Sequence, residues 1–216
     1  MTDFAAARRH MVDGQVRTAD VTDLRIIGAM QEIPRERFVP AAEAGIAYLD
    51  LDVPAGEGGR RMLKPMVLAK LIHAADIADT DRVLDVGCAT GYGAAVLAEL
   101  AAEVVALEED AKLAEAAKTN LAGTANVSVV TGPLTAGWPG AGPYDVILLE
   151  GASEIAPESL FGQLKDGGRL LCVVGAGPGA KATVFSRIGD ETGARHIFDG
   201  TAAVLPGFVK PAEFAF

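Results

Sequence analysis

The chain has 216 residues, half of them hydrophobic and 22% charged, with a formal net charge of −10. That length fits one large domain or a core with an appendage, and the apolar content is enough for a sizeable core. The acidity argues against a nucleic-acid-binding surface, which needs clustered Lys and Arg for phosphate, and no apolar run is long enough to span a bilayer.

Met1-Thr2-Asp3-Phe4 lacks a basic segment followed by an apolar run, so no signal peptide is expected and the chain reads as cytoplasmic. Phe4 to Val16 has helical spacing with basic residues on one side. Thr22 is expected to cap a second helix to about Gln31, with Leu24, Ile27 and Met30 on one face and Pro34 as its stop. Phe38-Val39-Pro40 reads as extended, and 41–48 as a short helix. Residues 50–64 form a loop with Pro54, Gly56, Gly58 and Gly59, and Pro65 suits the first turn of a helix through Ile77.

Strands are expected at 82–86, 103–107, 127–131, 144–149 and 168–174, with helices near 92–100, 110–121 and 157–164. Strands and helices alternating at this length imply a parallel, doubly wound α/β sheet. After Gly175 the pattern changes. Gly177-Pro178-Gly179 is a turn, 181–188 alternates as a strand, and short strands and loops run on to Phe214-Ala215-Phe216, so a hairpin is expected to close the sheet. Cys88 and Cys172 fall at or in expected buried strands, which favours packing roles over a disulfide. His10, His73 and His196 lack ligand spacing, so no metal is expected.

The chemistry concentrates at Arg82-Val83-Leu84-Asp85-Val86-Gly87-Cys88-Ala89-Thr90-Gly91-Tyr92-Gly93 and the run Glu103-Val104-Val105-Ala106-Leu107-Glu108. Strand, glycine turn, helix, strand and terminal acid is the layout of a nucleoside-binding βαβ unit. Gly87 lets the backbone turn beside a ligand, and Gly91 and Gly93 allow close approach. Glu108, at the tip of its strand, can accept both hydroxyls of a ribose. The Gly-x-Ala-x-Gly-x-Gly pattern behind an acid differs from the dinucleotide fingerprint and resembles the form in S-adenosylmethionine-dependent methyltransferases. Such a donor has no phosphate to seat on bare amides. It needs a carboxylate near its amino group, which Asp85 can supply directly or through water.

The order of further motifs resembles the protein-L-isoaspartate O-methyltransferase family from about Met11 to about Gly175. It includes Met11-Val12-Asp13-Gly14-Gln15-Val16-Arg17, Ile33-Pro34-Arg35-Glu36-Arg37-Phe38-Val39-Pro40, Ala47-Tyr48-Leu49-Asp50, Gly137-Trp138-Pro139, Pro143-Tyr144-Asp145-Val146-Ile147 and Gln163-Leu164-Lys165-Asp166-Gly167-Gly168-Arg169-Leu170. The Pro-Arg-x-x-Phe-Val-Pro entrance is the specific part. The resemblance implies a class I, Rossmann-like, mostly parallel seven-stranded sheet. It divides the chain into an N-terminal helical appendage with a substrate loop, 1–65, and a donor-binding core with a C-terminal hairpin, 66–216. It implies S-adenosylmethionine as donor, held by Asp85, Gly87, Ala89, Gly91, Tyr92, Glu108, Gly132 and Pro133, and a protein or peptide substrate rather than nucleic acid or membrane. The implied reaction esterifies the carboxylate of an isoaspartyl residue in a damaged protein. The ester then collapses to a succinimide that can reopen to aspartate. The nucleophile is already ionised, so positioning does most of the catalysis.

Three departures from that pattern matter. The family's substrate loop carries hydroxyl residues where this chain has Arg61 and Leu63, and leucine cannot donate a hydrogen bond. Losing such a donor commonly costs ~10²–10³ in rate. Arg60, Arg61 and Lys64 can clamp a carboxylate instead, or are solvated loop charges in front of a packed Leu63. Thr131-Gly132-Pro133-Leu134 lacks the family's acid after the third core strand, so adenine contact must weaken or come from Thr131 or the Leu134 backbone. Glu150 ends the fourth core strand, where the ligand crevice of an open α/β sheet lies. It is a candidate general base or donor contact, it would repel a carboxylate substrate, or it points away and caps the next turn. Leu63, Arg61 and Glu150 are therefore the candidate catalytic positions. The alternative function is a family member that methylates another acceptor, or a non-catalytic module for an unidentified protein partner.

Overall fold

The structure, a computed structural model, describes residues 3–211, so the expected ending at Phe214-Ala215-Phe216 lies outside the described residues. Asp3 caps α1 (Phe4–Met11), accepting the Ala6 amide at 2.9 Å. The helical run goes on as a π stretch over Val12–Val16 and a 3-10 turn over Arg17–Ala19. The cap of α2 (Leu24–Glu32) is Asp23 rather than Thr22. Its carboxylate accepts the Arg25 amide at 2.8 Å, and its extended backbone (φ −66°, ψ 114°) is the geometry a cap needs. Ile33, extended before Pro34, ends the helix.

Arg35–Phe38 is a 3-10 turn, and extended backbone begins only at Val39. Ala41–Ile46 is also 3-10, because six residues are too few to offset the cost of nucleating an α-helix. Within the loop 50–64, β1 (Val53–Pro54) pairs antiparallel with β2 (Arg61–Met62) and brackets the glycines. Pro65 opens α3 (Pro65–Ala75) as expected, and left-handed Asp76 closes it.

The core alternates β3 (Arg82–Val86), α4 (Tyr92–Ala98), β4 (Glu103–Glu108), α5 (Ala111–Asn120), β5 (Val127–Thr131), β6 (Tyr144–Ser153) and β7 (Leu164–Val174). The hairpin of β8 (Lys181–Ile188) and β9 (Glu191–Asp199) follows. The seven strands lie in the order β5-β4-β3-β6-β7-β8-β9, parallel through β7 and antiparallel at β8 and β9. The mostly parallel seven-stranded sheet with a closing hairpin is the expected one. The helix expected near 157–164 is a 3-10 segment, Glu158–Gln163, because β7 already begins at Leu164 and leaves six residues, too few to offset the cost of nucleating an α-helix.

The two faces are covered differently. One carries α3, α4, α5 and the N-terminal helices in a continuous apolar cluster that includes Met11, Met30, Leu68, Val83, Leu97 and Leu148. Packing is therefore unbroken across residues 65 and 66. The other is covered by short turns and the tail, through Leu134, Leu160, Leu205 and Phe208. Strand order reverses between β3 and β6, so the crevice of this sheet opens at their C-terminal ends.

Candidate active site

Side chains alternate along a strand. Val83, Val104 and Val146 face the helical layer, while Leu84, Val105 and Ile147 face the other. The same parity turns Asp85, Glu108 and Glu150 toward the helical layer, beside one another at the crevice. All three are buried.

Beyond β3 the backbone turns at Gly87 (φ 79°), Ala89 (φ 50°) and Gly91 (φ 94°). The three glycines of the motif serve different ends. A Cβ on Gly87 would meet the Arg60 guanidinium at 2.9 Å, so Gly87 borders the crevice. A Cβ on Gly91 would strike Leu121 at 2.8 Å, and Gly91 therefore serves the packing of α5. A Cβ on Gly93 would lie 2.0 Å from a Glu150 carboxylate oxygen, so Gly93 makes room for that acid.

Glu108 is saturated with donors. Oε2 accepts the Ala89 amide at 2.8 Å and Arg60 Nη2 at 2.9 Å, and Oε1 accepts the amides of Glu109 and Asp110 at 2.9 and 3.1 Å. Arg60 Nη2 also donates to the Gly87 carbonyl at 2.9 Å. Arg60 is thus a buried partner of the strand-end acid rather than a solvated loop charge. Arg61 is exposed and leans on the Asp52 carbonyl at 3.0 Å, and Lys64 reaches Thr201 at 3.4 Å. Leu63 is buried, as its packed reading requires.

Asp85 and Glu150 form the second feature. Burial pushes the Asp85 carboxyl up to about 7, helped by Glu108 and opposed by its hydrogen bond with Glu150 and by Arg60. Burial and the neighbouring Asp85 hold Glu150 well above the usual carboxylate range. Outside this carboxyl pair, both oxygens of Asp85 and Oε1 of Glu150 have no hydrogen-bond partner. Two arginines, Arg35 and Arg60, face three carboxyls, so one proton held by the Asp85–Glu150 pair makes the cluster neutral. Glu150 does not point away to cap a turn; it is part of this cluster.

Arg35, which the sequence offered only as part of a motif, underlies the site. It is fully buried, donating to the carbonyls of Ala47 at 2.7 Å and Leu63 at 2.6 Å, and its guanidinium lies 4.6 Å from the centroid of the Tyr92 ring. Tyr92 also meets Phe38 edge-on at 5.5 Å. Tyr92 is therefore a buried strut of the helix start. Gly132 lies against Trp138, with 3.3 Å from its would-be Cβ to the indole, and Pro133 leads into the 3-10 turn Leu134–Ala136. A cavity of about 100 Å³ lies at the crevice, where Arg60, Arg61, Leu63, Glu150 and Leu205 meet.

The protonation of Asp85 has a consequence for stability. A carboxyl whose pKa is raised in the folded state binds more protons there than when unfolded, so unfolding free energy falls as pH rises between the two values. For Asp85 the window runs from about pH 4 to about pH 7. Denaturant melts are expected to lose on the order of a few kcal/mol across it, and Asp85→Asn to flatten that slope. A wild-type slope of the opposite sign would contradict the assignment.

The parallel sheet, the glycine turn beneath a buried acid and the carboxylate closing the next strand define a class I methyltransferase. A sequence profile described as "Protein-L-isoaspartate(D-aspartate) O-methyltransferase" matches residues 6–201. A protein-L-isoaspartate O-methyltransferase from Methylorubrum extorquens (strain PA1) is 42% identical over 190 residues, 88% of this chain and 83% of that protein. One from Koribacter versatilis (strain Ellin345) is 42% identical over 82% of this chain and 80% of its own. A solved protein-L-isoaspartate O-methyltransferase superposes with a TM-score of 0.79 at 27% identity, covering 93% of this chain and 66% of its own. For the fold alone, a β-aspartate methyltransferase from Plasmodium falciparum, solved with S-adenosyl-L-homocysteine, superposes with a TM-score of 0.75 at 16% identity over 95% of this chain and 99% of its own. The chain belongs to the protein-L-isoaspartate(D-aspartate) O-methyltransferase family, whose members are S-adenosylmethionine-dependent enzymes.

Proposed function

We propose that this chain methylates the carboxylate of isoaspartyl residues in proteins and peptides, with S-adenosylmethionine as donor. The observation that carries this reading is the family match over residues 6–201, joined to a crevice in which Arg61 and Leu63 meet the buried Glu150. The residues suit the donor. Asp85 offers carboxylate oxygens whose one partner is Glu150 to an ammonium, Glu108 offers a ribose-binding carboxylate once Arg60 moves aside, and Gly87 leaves the backbone bare beside them. Gly132 and Pro133, beside Trp138, would border the adenine. When bound, the donor supplies an electrophilic methyl on a sulfonium.

The chain's own part is positioning. Burial and Asp85 favour the protonated form of Glu150, which lessens its repulsion of an incoming carboxylate. Glu150 does not serve as a general base in this reading, since the acceptor arrives ionised. Arg61, exposed at the cavity, is the cation available to orient that carboxylate in place of the missing hydroxyls. Residues 1–65 would form the acceptor entrance and 66–216 the donor core. A cytoplasmic setting is supported by the two free, buried cysteines, and among the described residues no helix is long and apolar enough to cross a membrane.

Labelled methyl is expected to pass from S-adenosylmethionine to an isoaspartyl peptide and not to its aspartyl twin. Leu63, buried and without a hydroxyl, favours a second reading in which another acceptor is used. No label on the isoaspartyl peptide, from protein that binds the donor, would replace the first reading with the second.

A further inference from the structure

We propose that Arg60 is an internal latch on the donor site, a side chain that the donor must displace in order to bind. The proposal rests on the donor reading above. The guanidinium lies on the two acceptors a nucleoside donor would need, the Glu108 carboxylate at 2.9 Å and the Gly87 carbonyl at 2.9 Å. With Arg60 in place the cavity measures about 100 Å³, whereas small-molecule sites hold roughly 300–1,000 Å³. The latch sits on a hinge. Gly58 (φ 87°) and Gly59 (φ 82°), directly before it, both lie in the left-handed region, and added Cβ atoms there would meet nothing within 4 Å. The Ala55 amide donates to the Arg60 carbonyl at 3.0 Å and holds the backbone at the latch, so the motion required is that of the Arg60 side chain; the rest of the loop is tied back lightly, by an exposed Glu57–Lys112 contact at 3.4 Å and by Gly56 against Leu113.

Charge supports an exchange of one ligand for another. The three carboxyls have two cations, Arg35 fixed beneath them and Arg60 on the loop. S-adenosylmethionine, with one net positive charge, can replace the guanidinium without leaving the acids uncompensated, and neutral S-adenosylhomocysteine can do so with one further proton on the Asp85–Glu150 pair. Glu108 keeps three amide donors when Arg60 leaves, so release does not strip the acid of partners.

A latch in the free protein lowers the apparent affinity of every ligand for the unlatched state by the same factor. Titration calorimetry of S-adenosylmethionine and S-adenosylhomocysteine against wild type and Arg60→Gln is therefore expected to show both ligands binding more tightly to the variant, by about 10-fold and by equal factors. Arg60→Ala, which cannot re-form a hydrogen bond to Glu108, should do the same. Equal or weaker binding by the variants would overturn the latch and make Arg60 a bystander or a direct donor contact. Tightening of one ligand alone would overturn it too. Binding is read apart from turnover, so loss of methyl transfer with these affinities intact would count only against the acceptor.

Discussion

Replacing Glu108 by glutamine is expected to weaken binding of S-adenosylhomocysteine by about 10²-fold. A hydrogen bond to a carboxylate contributes roughly 1.5–3 kcal/mol, against about 0.5–1.5 for one to a neutral group, so two ribose hydroxyls together lose about 2–3 kcal/mol, and about 2.7 kcal/mol is a hundredfold. Glu108 is buried at the end of β4, where the Ala89, Glu109 and Asp110 amides hold its rotamer. An amide in its place keeps the shape but turns an NH₂ toward backbone donors. The substitution also removes the partner of Arg60, which by itself would favour binding. The double variant Arg60→Gln/Glu108→Gln against Arg60→Gln alone therefore isolates the ribose contribution, and there the full hundredfold loss is expected. Affinities within threefold of each other would show that Glu108 does not read the ribose.

The second large effect is on stability. Arg35→Met is expected to cost about 3–5 kcal/mol, because two buried carbonyls lose charge-assisted hydrogen bonds worth roughly 1.5–3 kcal/mol each. Methionine fills much of the volume and supplies none of the donors. The carbonyls of Ala47 and Leu63 lose their charged partner, Tyr92 loses the cation over its ring, and Glu150 loses one of its two compensating cations. In a domain of this size the melting temperature should fall by about 10 °C. Because Arg35 ties the entrance segment to the loop carrying Leu63, the variant should also lose methyl transfer faster than it loses donor affinity. A melting temperature within about 2 °C of wild type would mean that the guanidinium is not held as the structure shows.

These two residues mark where reading the sequence stops. Glu108 was legible because alternation and a glycine turn fix which strand ends carry ligands, and that rule needs only local spacing. Glu150 stood out for the same reason, as an acid closing an apolar strand, although its protonation was not visible. Arg35 and Arg60 carry no local signal. Their partners lie 28 and 48 residues away, at Leu63 and Glu108, and only the packed fold brings them together. Arg60 was considered as a clamp for the acceptor, and its contact with Glu108 gives it a different place. The parallel sheet and its hairpin could be read from periodicity, whereas the 3-10 segments at 41–46 and 158–163 could not. Short stretches with helical composition look alike in sequence until the next element shows how little chain is left to them. The Asp23 cap was missed by one residue because Thr22 and Asp23 are both good caps, and backbone geometry alone separates them.

The measurement that bears most directly on the donor site is a crystal structure of the protein grown with S-adenosylhomocysteine. The expected result has both ribose hydroxyls on Glu108, the amino group on the Asp85 side of Gly87, and the Arg60 side chain swung off Glu108 and the Gly87 carbonyl. A nucleoside bound elsewhere, with Arg60 still on Glu108 and the Gly87 carbonyl, would contradict both the site and its latch.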